Sequence, residues 1–133
     1  MLETYLKLEQ LRFNFKYQIE IDSDINKYET EIPLLLLQPL LENAVKHGIS
    51  NLKETGKLSL TFKRVGPNMI ATVNDNGKGF NVNEATDGYG LKLVNKRIEV
   101  FNEILIYSKI LLTINSDKNS FTNIVLTFIN WFA

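Results

Sequence analysis

Three short stretches of the chain hold residues whose types and spacing could do chemistry. The first is Asn74-Asp75-Asn76-Gly77-Lys78-Gly79-Phe80, an acid followed by two alternating glycines at the end of an apolar run. Glycines let a backbone approach a flat ligand closely. A carboxylate emerging from a sheet can accept a hydrogen bond from an exocyclic amine. Adenine presents such an amine where guanine presents a carbonyl. Taken alone, Asp75-Asn76-Gly77 is more commonly a hairpin turn. A hairpin should return at once as an alternating strand, whereas here a second glycine, Phe80 and a polar loop follow.

The second stretch is Leu37-Gln38-Pro39-Leu40-Leu41-Glu42-Asn43-Ala44-Val45-Lys46-His47-Gly48. Its polar residues alone read as a solvated helix flank, with a Glu to Lys pair worth about 0.3 kcal/mol. The same residues could also do chemistry. An amide oxygen from Asn43 can complete the shell of Mg²⁺, a hard cation that keeps waters and borrows phosphate oxygens. Glu42 can orient or deprotonate a nucleophile, and Lys46 or His47 can offset phosphate charge. His47 is the sole histidine of the chain and belongs to this flank rather than to a metal site.

The third stretch is Asp87-Gly88-Tyr89-Gly90-Leu91. It could be a plain turn with Asp87 as a helix start signal. Glycines ahead of a helix also leave free amides at its positive end, which is how helix N-termini hold phosphate.

The elements that must position these stretches follow from periodicity. Residues 2–13 read as a helix with apolar residues on more than one side, as expected if it lies between this domain and something preceding it. It starts with no capping residue, so the helix is expected to begin earlier in a longer parent chain. Phe15, Tyr17, Ile19 and Ile21 alternate with polar residues as a strand. Pro33 and Pro39 bracket the start of a helix whose regular part is predicted over 36–47, with Gly48 as its C-terminal cap. At 100° per residue, Asn43 lines up with His47, and Glu42 with Lys46. Leu58, Leu60 and Phe62 form a second strand, and Met69 to Asn74 a third, joined by a short turn and therefore antiparallel. Residues 80–89 form a loop. From Gly90 a helix carries Leu91, Val94, Ile98, Phe101 and Leu105 within about 80° of arc. Residues 110–114 and 124–129 are the last strands, separated by a polar loop over 115–120. Helices on one face of a mainly antiparallel five-stranded sheet, an α/β (α+β) two-layer sandwich, accommodate this order.

Composition bounds the partners. The chain has 133 residues, 44% hydrophobic, enough for one core without disulfides. Fifteen basic residues balance fifteen acidic ones, which excludes a global basic field for nucleic acid or anionic membrane, so any anion site is local. Cysteine is absent, and the longest apolar run is far short of the roughly 20 residues that span a bilayer.

Together, in this order, the stretches resemble the Bergerat-fold (GHKL) ATPase superfamily. Glu42-Asn43-Ala44-Val45-Lys46-His47-Gly48 is similar to its N box, Asp75-Asn76-Gly77-Lys78-Gly79 to its G1 box and Gly88-Tyr89-Gly90-Leu91 to its G2 box. The run from Ile32-Pro33-Leu34 to Asn43, with the helix from Tyr5 to Phe13, resembles the LytS-type sensor histidine kinases. The resemblance implies residues 1–14 as the end of a preceding helical region and 15–133 as an ATP-binding catalytic domain. That domain would pass the γ-phosphoryl group to a histidine upstream of Met1. By position, Asn43 holds Mg²⁺, Asp75 reads adenine, and Gly77, Gly79, Phe80, Gly88, Tyr89, Gly90 and Leu91 shape the pocket. Glu42, Lys46 and His47 stand on the phosphate side, and residues 81–89 form a lid. The implied partners are the upstream dimerisation and acceptor region and, through it, a response regulator, with no nucleic acid or membrane contact by this chain. The expected place is the cytoplasmic side of a membrane-anchored parent. Other ATPases or serine kinases of the superfamily, or an inactive nucleotide-binding module, are the alternatives. One departure is the last hairpin, residues 115–122, which lacks the glycine-threonine turn often seen there.

Overall fold

A computed structural model of the chain describes residues 2–49, 52–77, 89–117 and 121–132, and all but the side chains of 47, 48, 89, 90 and 117 among them. Helix α1 (Leu2–Phe13) is followed by strand β1 (Lys16–Ile21). Helix α2 (Leu34–Asn43) runs directly into a π-helical segment (Ala44–Ile49), and a 3₁₀ turn follows (Lys53–Thr55). Strands β2 (Lys57–Val65) and β3 (Asn68–Asp75) precede helix α3 (Tyr89–Ile104). Strands β4 (Lys109–Asp117) and β5 (Phe121–Ile129) complete the described elements.

The five strands make one sheet in the order β1-β2-β3-β5-β4. Only β1 and β2 are parallel, with Tyr17 opposite Leu58, and their connection is the long crossover through α2. β2 and β3 form an antiparallel hairpin closed by Gly66 and Pro67, with Val65 opposite Asn68. Gly66 has φ +61°, the left-handed conformation required at the first central position of such a turn, while the proline ring fixes the second.

Alternation decides which sheet face is covered. Leu58, Leu60 and Phe62 on β2, Met69, Ala71 and Val73 on β3, and Ile124, Leu126 and Phe128 on β5 are all buried. They share one core with Leu36, Leu37, Leu40 and Leu41 of α2 and with Leu91, Val94 and Ile98 of α3. Each fully buried leucine contributes about 1.5–3 kcal/mol, so the leucine run of α2 anchors that helix by itself. The residues of opposite parity, such as Thr61, Thr72, Asn74 and Asn123, face away from this core.

α1 joins the same core through Leu6, while Leu8 and Leu11 are 61% and 86% exposed. The apolar residues of this helix thus point both into the domain and away from it. Its C-terminus is closed by Asn14 in the left-handed region (φ 56°), whose N–H donates to the Gln10 carbonyl at 2.8 Å. Gln10 in turn donates through Nε2 to the Phe15 carbonyl at 2.8 Å, tying the helix to the head of β1.

α2 departs from the predicted bounds. It starts at Leu34, with Pro33 before it and the Pro33 carbonyl accepting from Leu36 N–H at 3.0 Å. Pro39 therefore lies inside the helix, not in its first turn, and removes the bond to the carbonyl four residues back, that of Leu35. Arg97 of α3 supplies the missing donor, its Nη1 lying 2.6 Å from that carbonyl. A side chain from the neighbouring helix thus satisfies the acceptor that proline leaves open. At the other end Gly48 does not cap an α-helix, because the chain widens to π geometry after Asn43 and continues to Ile49.

Candidate functional site

The site is best built from the polar end of the inner sheet face. Along β3 the buried parity runs Met69, Ala71, Val73 and then Asp75, so a carboxylate occupies the next core position. Asp75 is 3% exposed. Its Oδ1 accepts from the Gly77 N–H at 2.9 Å, a turn closed by the residue two further on. Burial pushes its carboxyl up from 3.8 to about 6, and the Gly77 bond offsets part of that rise. An ionised carboxylate can accept at about four lone-pair positions, so Asp75 keeps acceptor capacity beyond the Gly77 bond.

Thr122 stands opposite Asp75 on β5, and Ser116 stands opposite Thr122 on β4. Thr122 is 5% exposed and shares a 3.1 Å hydrogen bond between hydroxyls with Ser116, whose Oγ also donates to the Phe121 carbonyl at 3.0 Å. Three adjacent strands therefore place an acid and two hydroxyls in one row. The sequence reading passed over Thr122 and Ser116. The signal was there: Thr122 has the parity of Ile124, Leu126 and Phe128, and a polar residue at a core parity is a marker for a site. The sequence of residues 115–122 holds no glycine-threonine pair; the strand itself supplies a threonine beside the acid.

Asn76 has a role that its turn-like context concealed. Its Oδ1 accepts from Lys57 N–H at 2.7 Å, and its Nδ2 donates to the Thr55 carbonyl at 2.8 Å. These bonds clamp the end of β3 to the 3₁₀ turn and the head of β2. Gly56, between them, is packed so closely that a Cβ there would lie 3.2 Å from both the Cβ and the carbonyl oxygen of Ile49, at the end of the π segment. Acid, 3₁₀ turn and π segment are thus held as one unit.

On the helical side, Glu42 and Asn43 end α2 and are both partly buried, while Lys46 is exposed in the π segment. Glu42 accepts from Gln38 Nε2 at 3.3 Å, one turn back. The π segment packs against β2 and β3 and so brings this end of α2 to the strands that carry Asp75. It also changes the expected alignment. A π turn closes i to i+5 bonds and advances less per residue than an α turn, so the pairing of Asn43 with His47 and of Glu42 with Lys46 on straight lines does not carry through it. His47 and Gly48 lie in this segment, with side chains outside the description.

Of the third stretch, Tyr89 and Gly90 open α3 and Leu91 is buried in the core. Gly79, Phe80, Gly88 and all but the last residue of the expected lid over 81–89 lie outside the described residues. Among the described residues no group of three His, Cys, Asp or Glu side chains could hold a metal ion.

The fold is similar to that of histidine kinase catalytic domains. The histidine kinase domain of a blue-light activated kinase from Erythrobacter litoralis superposes with a TM-score of 0.69 at 16% identity, over 98% of this chain and 63% of that one. No family model matches the chain. Sequence relatives narrow the class: sensor histidine kinase BtsS of Escherichia coli K12 is 32% identical over 97 residues, 73% of this chain. Sensor protein LytS of Bacillus subtilis is 37% identical over 78 residues, 59% of this chain. The chain spans 17% of the length of the first and 13% of the second. The sequence relatives are sensor histidine kinases and the structural neighbours are histidine kinase catalytic domains, which matches the resemblance to the LytS-type proteins.

Proposed function

We propose that the chain is the ATP-binding catalytic domain of a two-component sensor kinase, donating the γ-phosphoryl group of ATP to a histidine in an upstream region of its parent. The observation that carries this reading is the buried carboxylate of Asp75 at the end of β3, with the π segment that continues the Glu42-Asn43 end of α2 packed on the same strands. A desolvated acceptor in a sheet floor suits the amine edge of adenine, and Thr122 beside it supports the same edge. Asn43 offers an amide oxygen, the donor type that suits a phosphate-borne Mg²⁺, and when bound the ion supplies charge neutralisation at the phosphates. Glu42 orients or accepts the proton of the incoming nucleophile. Lys46 and His47 face the phosphate charge, and Gly77, Gly79, Phe80, Gly88, Tyr89, Gly90 and Leu91 form the pocket wall. Phosphoryl transfer asks for little else, because positioning and charge stabilisation account for most of its catalysis.

In this reading α1 is the end of a helical region that dimerises and carries the acceptor histidine, and residues 15–133 are the catalytic domain. A response regulator receives the phosphoryl group through the full kinase, on the cytoplasmic side of a membrane-anchored parent. Among the described residues no helix is long and apolar enough to cross a membrane. The test is incubation of the chain with γ-labelled ATP, Mg²⁺ and the upstream helical region of the parent supplied in trans. Label on a histidine of that partner is the expected result. ATP binding with no label on the partner would refute the kinase reading and leave a nucleotide-binding module.

A further inference from the structure

The two edges of the sheet are finished differently. On β4 the outward N–H and C=O of Ile110 are both taken by Asn102 of α3, whose Oδ1 accepts at 2.8 Å and whose Nδ2 donates at 3.0 Å. β1 has no such plug among the described residues. Its parallel register fixes which groups face outward. Lys16 N–H donates to the Gly56 carbonyl and Asp22 N–H to the Phe62 carbonyl, so the even-numbered residues bond to β2. Tyr17, Ile19 and Ile21 therefore turn their N–H and C=O groups to the open edge, where no hydrogen bond among the described residues reaches them. Such a row is a template for another extended chain.

A cavity of about 490 Å³ opens beside this edge, with Ile19 and Ile21 on the strand side and Ile25 and Tyr28 on the loop side. Ile25 is buried and Tyr28 is 88% exposed, so the apolar wall runs from the core to solvent. The loop is held at three points: Asp22 Oδ2 accepts from Arg64 N–H at 3.0 Å, the Asp24 carbonyl from Arg64 Nη1 at 3.3 Å, and the Glu31 carbonyl from Trp131 Nε1 at 2.8 Å. The cavity is thus pre-formed. Its rim is acidic. Residues 22–31 carry Asp22, Asp24, Glu29 and Glu31 against one base, Lys27, whose ammonium lies 5.3 Å from the Tyr28 ring centroid, and Arg64 does not restore the balance.

We propose that β1 is a peptide-docking edge: an extended basic segment of a separate polypeptide adds as a sixth strand, its alternate apolar side chains entering the cavity and its lysine or arginine facing the acidic loop. In this mode main-chain hydrogen bonds supply affinity and the pocket supplies selection. A folded second copy would have to bring its own α1 and its own acidic loop to the same edge, whereas a single extended segment brings neither. The inference does not rest on the kinase reading. Asp75 lies in the row of Leu58 and Tyr17, while Ile21 lies in the row of Phe62 and Ala71, toward the other end of the sheet.

The test titrates the ¹⁵N-labelled chain with a blocked peptide of alternating valine and threonine that has an arginine at each end. In the free chain the amides of Tyr17, Ile19 and Ile21 should exchange with solvent about tenfold faster than those of Gln18 and Glu20. Bound peptide should slow the three by about tenfold or more and shift them, with Ile25 and Tyr28, more than any other residues. N-methylating one alternate set of peptide amides should weaken binding about tenfold, and methylating the other set should leave it within about twofold. Glutamate in place of the arginines should weaken binding about fivefold or more. Ile21→Lys should weaken it about tenfold, with calorimetric ATP affinity within about twofold of wild type. The methylated peptides need no variant and decide the question if I21K does not fold. No shift at the three amides with millimolar peptide, equal behaviour of both methylated sets, or tighter binding of the glutamate peptide would overturn the proposal. Wild-type dimerisation in sedimentation that I21K abolishes would assign the edge to a second copy and overturn it too. Failure of the chain to bind ATP would refute the kinase reading alone.

Discussion

Replacing Asp75 by asparagine separates what this residue does for the fold from what it does for a ligand. The carboxyl is pushed up from 3.8 to about 6, with burial as the main cause. A group whose value is raised on folding binds more protons in the native state than in the unfolded state. Its contribution to stability is full below pH 3.8 and is lost as pH rises through about 6. A rise of about 2 pKa units is worth about 3 kcal/mol, an upper figure for the cost of keeping Asp75 ionised at pH 7. Asparagine retains an oxygen for the Gly77 N–H and carries no charge to desolvate. The ligand-free Asp75→Asn variant should therefore gain stability relative to wild type by up to about 3 kcal/mol between pH 4 and pH 7, read by urea unfolding at both values.

The same substitution should weaken nucleotide binding. A hydrogen bond to a charged group contributes about 1.5–3 kcal/mol, so the loss should be about tenfold to a hundredfold in calorimetric affinity. Adenosine is the better probe of pH dependence, because phosphate groups titrate near pH 6 as well. Wild-type affinity for adenosine should fall as pH drops through about 6, and that dependence should vanish in the variant. A variant no more stable than wild type at pH 7, together with unchanged adenosine affinity, would refute both the desolvated carboxylate and the adenine assignment.

Three further substitutions probe the frame around the site. Asn43→Ala should abolish Mg²⁺-dependent phosphoryl transfer while nucleotide binding partly survives; undiminished transfer would exclude the metal role. Asn76→Ala removes bonds to Lys57 and Thr55 and should cost about 1–3 kcal/mol in urea unfolding, with weaker nucleotide binding because the end of β3 loosens. Arg97→Met leaves the Leu35 carbonyl opposite Pro39 without its donor; since the pair is exposed and water can replace it, a loss near 1 kcal/mol is expected, checked by thermal unfolding.

Local patterns were legible wherever one face of an element had to be buried. The alternation in β2 and β3 and the stripe Leu91-Val94-Ile98 in α3 leave no second way to bury their apolar sides, and the structure uses them as read. Asp75 was legible as an acid closing an apolar strand. What escaped depends on partners far apart in sequence. Arg97 repairs the gap opened by Pro39 from 62 residues away from Leu35, so Pro39 could be placed only at a first turn as long as its neighbour was unknown. Thr122 acquires meaning from its register with Asp75, 47 positions earlier, and nothing local distinguishes it from Thr127 on the outer parity.

The π segment is the sharpest case, because its cause and its consequence are both nonlocal. Helical counting assumes 100° per residue, and no residue between Ala44 and Ile49 announces a wider turn. The widening coincides with the contact of this segment with β2 and β3 and with the tight approach of Gly56 to Ile49. An α-helix continued through residue 49 would follow a different backbone path about the axis. The π geometry redirects the backbone at the point where α2 passes from leucines in the core to polar groups at its end. Such segments recur at functional sites because they change direction without breaking the helix. In this chain the change falls immediately after Asn43, so the residue proposed to hold the metal stands on regular helix and the residues proposed to face phosphate stand on the widened turn. The residue proposed for the metal and those proposed for phosphate therefore stand on two adjoining stretches of different helical pitch, one of them anchored by leucines in the core.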